Sequence, residues 1–323
     1  MSTFEPTGET TRRPLSGRRV HLGDLVLQLV AGAATLGASV LILLIIYKVV
    51  EGARPAIEQF GIGFVTSVAW DPVKGVFGAG SFLFGTALTS LLALVLAAPL
   101  ALGIALFLTE LAPTGITAPV TALVETLAAI PSVVIGLWGI LVLGPVLRDH
   151  IEPTLHNGLG FIPLFGTPGT GSSMFTAVIV LTIMILPIVS SISRELFLGV
   201  PKELKEAALG LGTTRWEMVR GVMFPYARGG IAAALILGLG RAVGEAIAVT
   251  QVIGGFVGIQ WNLFAPGDTL ASKIAAEYAG SPTKIDAASL IYLALILLIF
   301  SLLVNLLAQW IVRSVARRQG LAA

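Results

Sequence analysis

Six stretches of this 323-residue chain are each long and apolar enough to cross a lipid bilayer, at about 25–50, 82–109, 118–147, 174–192, 229–257 and 287–312. A helix needs roughly 20 predominantly apolar residues to traverse about 30 Å of hydrocarbon, and only structures that satisfy every backbone group internally survive there. That constraint decides the class: an all-α polytopic membrane protein. Only 12% of the residues are charged, against the roughly 25% usual in soluble domains, so a soluble chain of this composition could not cover its surface. The third stretch contains Pro131 in AAIPSVVIG, which predicts a kink or break there.

Orientation follows from the basic residues. Arg12, Arg13, Arg18 and Arg19 precede the first stretch. Arg194, Lys202, Lys205, Arg215, Arg220 and Arg228 lie between the fourth and fifth, and Arg313, Arg317 and Arg318 follow the sixth. These are thirteen of the 20 lysines and arginines, and an even number of spans puts all three segments on one side. The expected organisation is a cytoplasmic tail over 1–24, a six-span domain over 25–312 with a cytoplasmic loop at about 194–228, and a basic cytoplasmic tail over 313–323. The early TRRPLSG resembles a twin-arginine export signal, but its apolar run is long and lacks a small-x-small cleavage site, so the first span is expected to be retained.

Several chemistries are excluded early. No cysteine is present, which removes disulfides, thiolate metal sites and cysteine nucleophiles. Three histidines without an HExxH spacing make no metal site, and no cofactor is expected. GTPGTGSS, beginning at Gly166, has the look of a phosphate loop, but Ser172 stands where the lysine is needed and no soluble strand precedes it. Any ATP chemistry therefore belongs to another chain, and the basic character calls for no nucleic acid.

The loop reads RELFLGVPKELKEAALGLGTTRWEMVRGVMFPYARGG. Pro201 suits the start of a helix over KELKEAALG, the glycines at 210 and 212 break it, and Thr213 or Thr214 can cap a second short helix. Two short helices around a glycine turn resemble a DNA-binding helix-turn-helix, but membrane spans tether this pair closely on both sides. A solvated connector is the blander alternative. Against it stands a spacing: Glu206-Ala207-Ala208, three residues, Gly212, nine residues, then Val222-Met223-Phe224-Pro225. This resembles the EAA loop of ABC importer permeases, with Val222 and Phe224 in place of the usual Ile and Leu. Small residues would let a short helix sit deep in a partner's groove, and Glu206 offers a charge-assisted contact.

WDPVKGVFG from Trp70, GTALTSLLALVLAAPLALGIALFLTELAP from Gly85, VETLAAIPSVVIGLWGILVL from Val124 and GLGRAVGEAIAV from Gly238 extend the likeness. They are similar to phosphate ABC transporter permeases of the PstC type, whose sister PstA-type permeases share several of these features. The resemblance implies a type I importer-like fold in a bacterial inner membrane. It also implies an ATP-binding subunit (PstB-like) at the cytoplasmic loop, a second permease subunit (PstA-like), an extracytoplasmic phosphate-binding protein (PstS-like), and phosphate as cargo. No catalytic site is implied in this chain. A permease for another oxyanion such as sulfate or molybdate, or a secondary anion transporter or channel, are the competing classes.

The two charges in GLGRAVGEAIAV carry the site expectation. A charge near the bilayer centre costs at least about 2.5–3.5 kcal/mol by insertion scales, so Arg241 should face protein or water. Counting from a helix start near Gly229 places Arg241 roughly 18 Å deep and Glu245 on the same helical face. Arg241 offers a planar fork to a tetrahedral oxyanion, while Glu245 can accept a hydrogen bond from a protonated phosphate and repel sulfate. Alternatively the two merely brace each other. The resemblance matches them to the family's translocation motif, but Ala246-Ile247 replaces a frequent Thr-Met and removes a hydroxyl. Gly240-x3-Gly244 is expected to permit close helix approach. Glu110 and Glu125 are weaker candidates, expected near the interface or in solvent.

Overall fold

The computed structural model describes residues 22–318, and its named elements are all helices, without a strand among these residues. The arginines of the N-terminal tail and residues 319–323 lie outside the described residues. The helices are α1 (Leu22–Phe60), α2 (Gly80–Leu111), α3 (Thr114–Ala129), α4 (Ser132–Leu159), α5 (Met174–Leu198), α6 (Lys202–Gly210), α7 (Arg215–Gly244), α8 (Ile247–Val252), α9 (Leu270–Glu277) and α10 (Lys284–Arg318). Six of them, α1, α2, α4, α5, α7 and α10, are long and apolar enough to span a membrane.

The number of spans agrees with the sequence, but two boundaries do not. Proline lacks an N–H and drives the preceding residue to extended backbone, so the helix stops at Ala129, Ile130 is extended (ψ 127°), and α4 restarts after Pro131. The crossing helix is thus 132–159, and 118–129 belongs to the separate short helix α3. The fifth span begins at Arg215 rather than near Gly229, and it ends at Gly244 rather than running to 257. Its start is a capping box, in which Thr214 accepts the Glu217 amide while Glu217 accepts the Thr214 amide. A π-turn over Val219–Met223 then leads into Pro225, whose missing N–H is accommodated there. The expected second short helix of the loop is therefore the first part of α7.

Residues 22–48 belong to a unit of their own, a helical stretch with exposed apolar side chains such as Leu27, Leu36 and Leu43 that suits contact with lipid. The second unit, from Val49 onward, carries the core. Its most enclosed helix is α5, which packs on α2 and α7. The α2 face is a stripe of every fourth residue, Gly85, Thr89, Ala93, Ala97, Ala101 and Ala105, all buried. Small side chains there bring the backbones close enough for the Thr182 hydroxyl of α5 to donate to the Ala93 carbonyl at 3.4 Å.

The WDP stretch is architectural. Asp71 and Val76 exchange backbone hydrogen bonds, and the Asp71 carboxylate accepts the Val73 and Lys74 amides. Trp70 packs edge-on against Phe77 and Phe82 and donates to Glu277 at 3.1 Å. GTPGTGSS is architectural too: Ser173 caps α5 by accepting the Thr176 amide, and the Gly169 amide donates to the buried Glu152.

Candidate functional site

Arg241 lies in the last turn of α7, and Glu245 is the residue at which that helix gives way to extended backbone (φ −72°, ψ 117°). The expectation of two side chains on one face of a continuous helix is corrected accordingly. Glu245 has left the helix, and the carboxylate does local work, accepting the Ala248 amide at 3.4 Å in the first turn of α8. A carboxylate at a helix N-terminus is favoured by the exposed N–H groups and the dipole. Glu245 is buried, whereas the Arg241 side chain is 45% exposed. Their nearest atoms, Arg241 Nη2 and Glu245 Oε2, are 3.6 Å apart, an ion pair too long for a direct hydrogen bond. A guanidinium has five N–H donors, so most of this donor set stays available.

Arg241 opens onto a groove of about 710 Å³ between α7 and α10, walled by Ala233, Leu237, Asn305 and Gln309 among others. The site thus has one buried carboxylate, one accessible guanidinium and an otherwise mainly apolar approach. Within the membrane, interrupted backbone of this kind is tolerated where it is enclosed by protein or lines a water-filled cavity.

A second interruption braces the first. The N-terminal part of α4, just after the Pro131 break, packs on α8 through Gly136 and Gly139. A Cβ on Gly136 would stand 2.8 Å from the Ala248 Cα, and one on Gly139 would stand 2.8 Å from Val252 Cγ1. The glycines of VVIGLWG therefore let α4 seat directly against the segment whose first turn holds Glu245. Gly136→Ala would push on backbone that cannot yield easily, and an overpacked position costs about 1–3 kcal/mol. We expect a lowered thermal midpoint for the purified variant in detergent; an unchanged midpoint would show that α8 is free to shift.

The glycines of α7 divide differently from the expectation. Gly238 is a packing glycine, with Val189 Cγ2 2.9 Å from where its Cβ would be. Gly240 meets only Asn305 Oδ1 at 4.0 Å and Gly244 meets nothing within 4 Å, so Gly240-x3-Gly244 does not bring helices together within this chain.

The EAA stretch forms α6, with Pro201 as its N-cap. Its residues point two ways. Glu206 and Ala207 are exposed, while Ala208 is half-buried against the cluster of Phe197, Met218 and Val219. The Ala208 carbonyl accepts the Thr213 hydroxyl at 2.8 Å. Gly212 ends the motif at φ +85°, a conformation open to glycine at little cost. Glu110, a weaker pathway candidate in the sequence, has a structural role at the end of α2. Its carboxylate accepts Lys205 Nζ at 2.5 Å and its carbonyl accepts Arg215 Nη1 at 3.1 Å, so the end of α2 ties down both sides of the turn. No local pattern signals a partnership across so long a stretch of chain.

The family described as binding-protein-dependent transport system inner membrane component matches residues 101–319, which contain both helix interruptions and the EAA stretch. The chain is 41% identical over 273 residues to the phosphate transport system permease protein PstC of Xylella fastidiosa (strain Temecula1), covering 83% of this chain and 84% of that one. It is 39% identical over 312 residues to the PstC of Mesorhizobium japonicum, covering 95% of each. The chain belongs to the PstC-type family of binding-protein-dependent permeases. Solved structures agree on the fold. A bacterial alginate ABC transporter chain superposes with a TM-score of 0.60 at 17% identity, covering 91% of this permease and 97% of that chain. A chain of the MetNI methionine ABC transporter gives 0.53 at 20% identity, covering 72% and 94%. This permease is accordingly a multi-pass membrane protein of the ABC importer fold.

Proposed function

We propose that this chain forms half of the translocation pathway of an ATP-driven inorganic phosphate importer. The observation that carries the reading is the Arg241–Glu245 pair at the interruption of α7: an accessible guanidinium suited to a tetrahedral oxyanion, beside a carboxylate able to accept the remaining proton of hydrogen phosphate. Its curated relatives are named as phosphate permeases, which favours phosphate over sulfate or molybdate as cargo. A sister permease completes the pathway, an extracytoplasmic phosphate-binding protein delivers the ion, and a separate ATP-binding subunit hydrolyses ATP.

That ATPase docks on α6 and the turn behind it. Glu206 and Ala207 face outward, and Leu211 and Trp216 beside them are 86% and 64% exposed, an apolar surface suited to a partner's groove. Ala208 and Gly212 hold the shape of that surface, Ala208 by its inward packing and Gly212 by its turn. Purification with associated subunits, followed by reconstitution, tests the whole reading. Phosphate uptake should need ATP and every subunit, whereas uptake by this chain alone would establish a secondary transporter or channel.

The topology is part of the proposal: both termini and α6 are cytoplasmic, in the inner membrane of a bacterium. Reporter fusions after Gly160 and after Pro266 should then read as external. An internal signal at either site would break the assignment.

A further inference from the structure

We propose that a second oxyanion site, built from Thr121 and Arg194 with Glu125 at its mouth, holds phosphate at the α6 end of the molecule on its way out. The inference rests on the phosphate reading above and adds to it a waypoint distinct from Arg241. A cavity of about 190 Å³ lies between α3 and the last turns of α5, lined by Thr121, Glu125, Ser190, Ser191, Arg194 and Glu195 among others. An adjoining hollow of about 530 Å³ shares Thr121, Glu125 and Arg194.

Two of the buried side-chain atoms without a hydrogen-bond partner among the described residues belong to this wall, Thr121 Oγ1 and Arg194 Nε. The threonine is informative because of its neighbours. Thr117 and Thr126 on the same helix each donate to the carbonyl four residues back, the usual resort of a helical threonine. Thr121 makes no such bond. Among the described residues Arg194 engages only its chain neighbour, Nη1 donating to Glu195 Oε1 at 2.7 Å, and the Glu195 side chain is 69% exposed. Such surface pairs contribute little, whereas a buried donor left unmade is expensive.

The chemistry of the unmet groups selects the ligand. A guanidinium N–H and a hydroxyl are donors, so they ask for acceptor oxygens, and Arg194 turns away cations. An apolar ligand would leave both donors unsatisfied. Ser190 and Ser191 already donate to the carbonyls of Pro187 and Ile188, both at 3.2 Å, which leaves their oxygens as acceptors. With the Glu125 carboxylate they can take the proton of a P–OH group. The set therefore repeats the logic of Arg241 and Glu245: a cationic fork, and an acceptor that rewards a retained proton.

The test uses the complete importer in liposomes, with inorganic phosphate and sulfate as probes and each variant compared at matched protein. Thr121→Val keeps the shape and breaks no hydrogen bond within the chain, so it should fold as the parent does, while uptake falls about fivefold or more. Thr121→Ser should restore uptake. Arg194→Gln should lose more than Glu195→Gln, which removes the surface pair and one carboxylate of the wall but leaves Nε in place. Parental uptake in Thr121→Val would overturn the proposal. So would a loss in Glu195→Gln equal to that in Arg194→Gln, which would make the arginine a brace. Loss of the sister permease from purified Thr121→Val would also overturn it, because the hydroxyl would then be an interface contact. A parent importer that moves sulfate and no phosphate would sink the functional reading along with the waypoint; in the other three cases that reading stands.

Discussion

Arg241→Leu is expected to abolish phosphate uptake while leaving the assembled importer in the membrane. Arg241→Lys is expected to fall well short of the parent, because an ammonium keeps the charge and loses the planar fork. The geometry separates these outcomes from a structural role. Arg241 is 45% exposed and its contact with Glu245, at 3.6 Å, is loose, so its removal breaks no tight internal bond. Glu245 is the more structural of the two, since it also accepts the Ala248 amide. Glu245→Gln keeps a carbonyl for that amide and should preserve assembly. It removes the negative charge, and with the binding protein's own selectivity bypassed it should weaken discrimination against sulfate. If the two residues merely brace each other, Arg241→Leu with Glu245→Leu should recover transport lost in the single variants, because the double change leaves no buried carboxylate without its partner. We expect the double variant to stay as inactive as Arg241→Leu alone, at least about tenfold below the parent, the equivalent of about 1.4 kcal/mol. Recovery in the double variant would reduce the pair to packing.

How far the sequence foretold this site depends on which physical signal each feature leaves. The six spans are legible because apolar length is what a bilayer demands. The Pro131 break is legible because the proline ring alone enforces it. The break at Glu245 leaves no such mark. Nothing in VGEAIAV forbids a helix, and the interruption is set by tertiary contacts, with α4 seated on α8 through Gly136 and the carboxylate capping the new segment. The start of α7 was misplaced for the opposite reason. Hydropathy falls where Arg215, Arg220 and Arg228 begin, yet a helix can start in polar sequence, and the capping box at Thr214 marks its start. Arg241 was legible as a candidate because a charge in an apolar run is costly enough to demand a reason. Thr121 was not, since a lone threonine on a helix is ordinary until its missing hydrogen bond is seen.

Ala207→Trp is expected to uncouple the importer. The division of the EAA stretch into an outward and an inward face makes this prediction sharper than the motif alone. Ala207 is exposed on α6, so tryptophan there adds bulk without crowding this chain's own core, and the protein should insert and accumulate normally. A helix seated in a groove on the ATPase cannot take that volume, so uptake should fall at least about tenfold and the ATP-binding subunit should be lost on purification or hydrolyse ATP unproductively. Ala208→Trp should behave differently. Ala208 packs on the Phe197 and Met218 cluster, so the large side chain would disturb the fold of the turn itself and lower abundance. Gly212→Asp falls between them: nothing within 4 Å obstructs a side chain, but φ +85° strains any residue other than glycine, and the added charge would be carried to the contact surface. Uptake, ATPase retention and membrane abundance for the three variants separate docking from folding. If Ala207→Trp transports at the parental rate with its ATPase bound, the outward face of α6 is a solvated connector, and the coupling contact lies elsewhere on this chain.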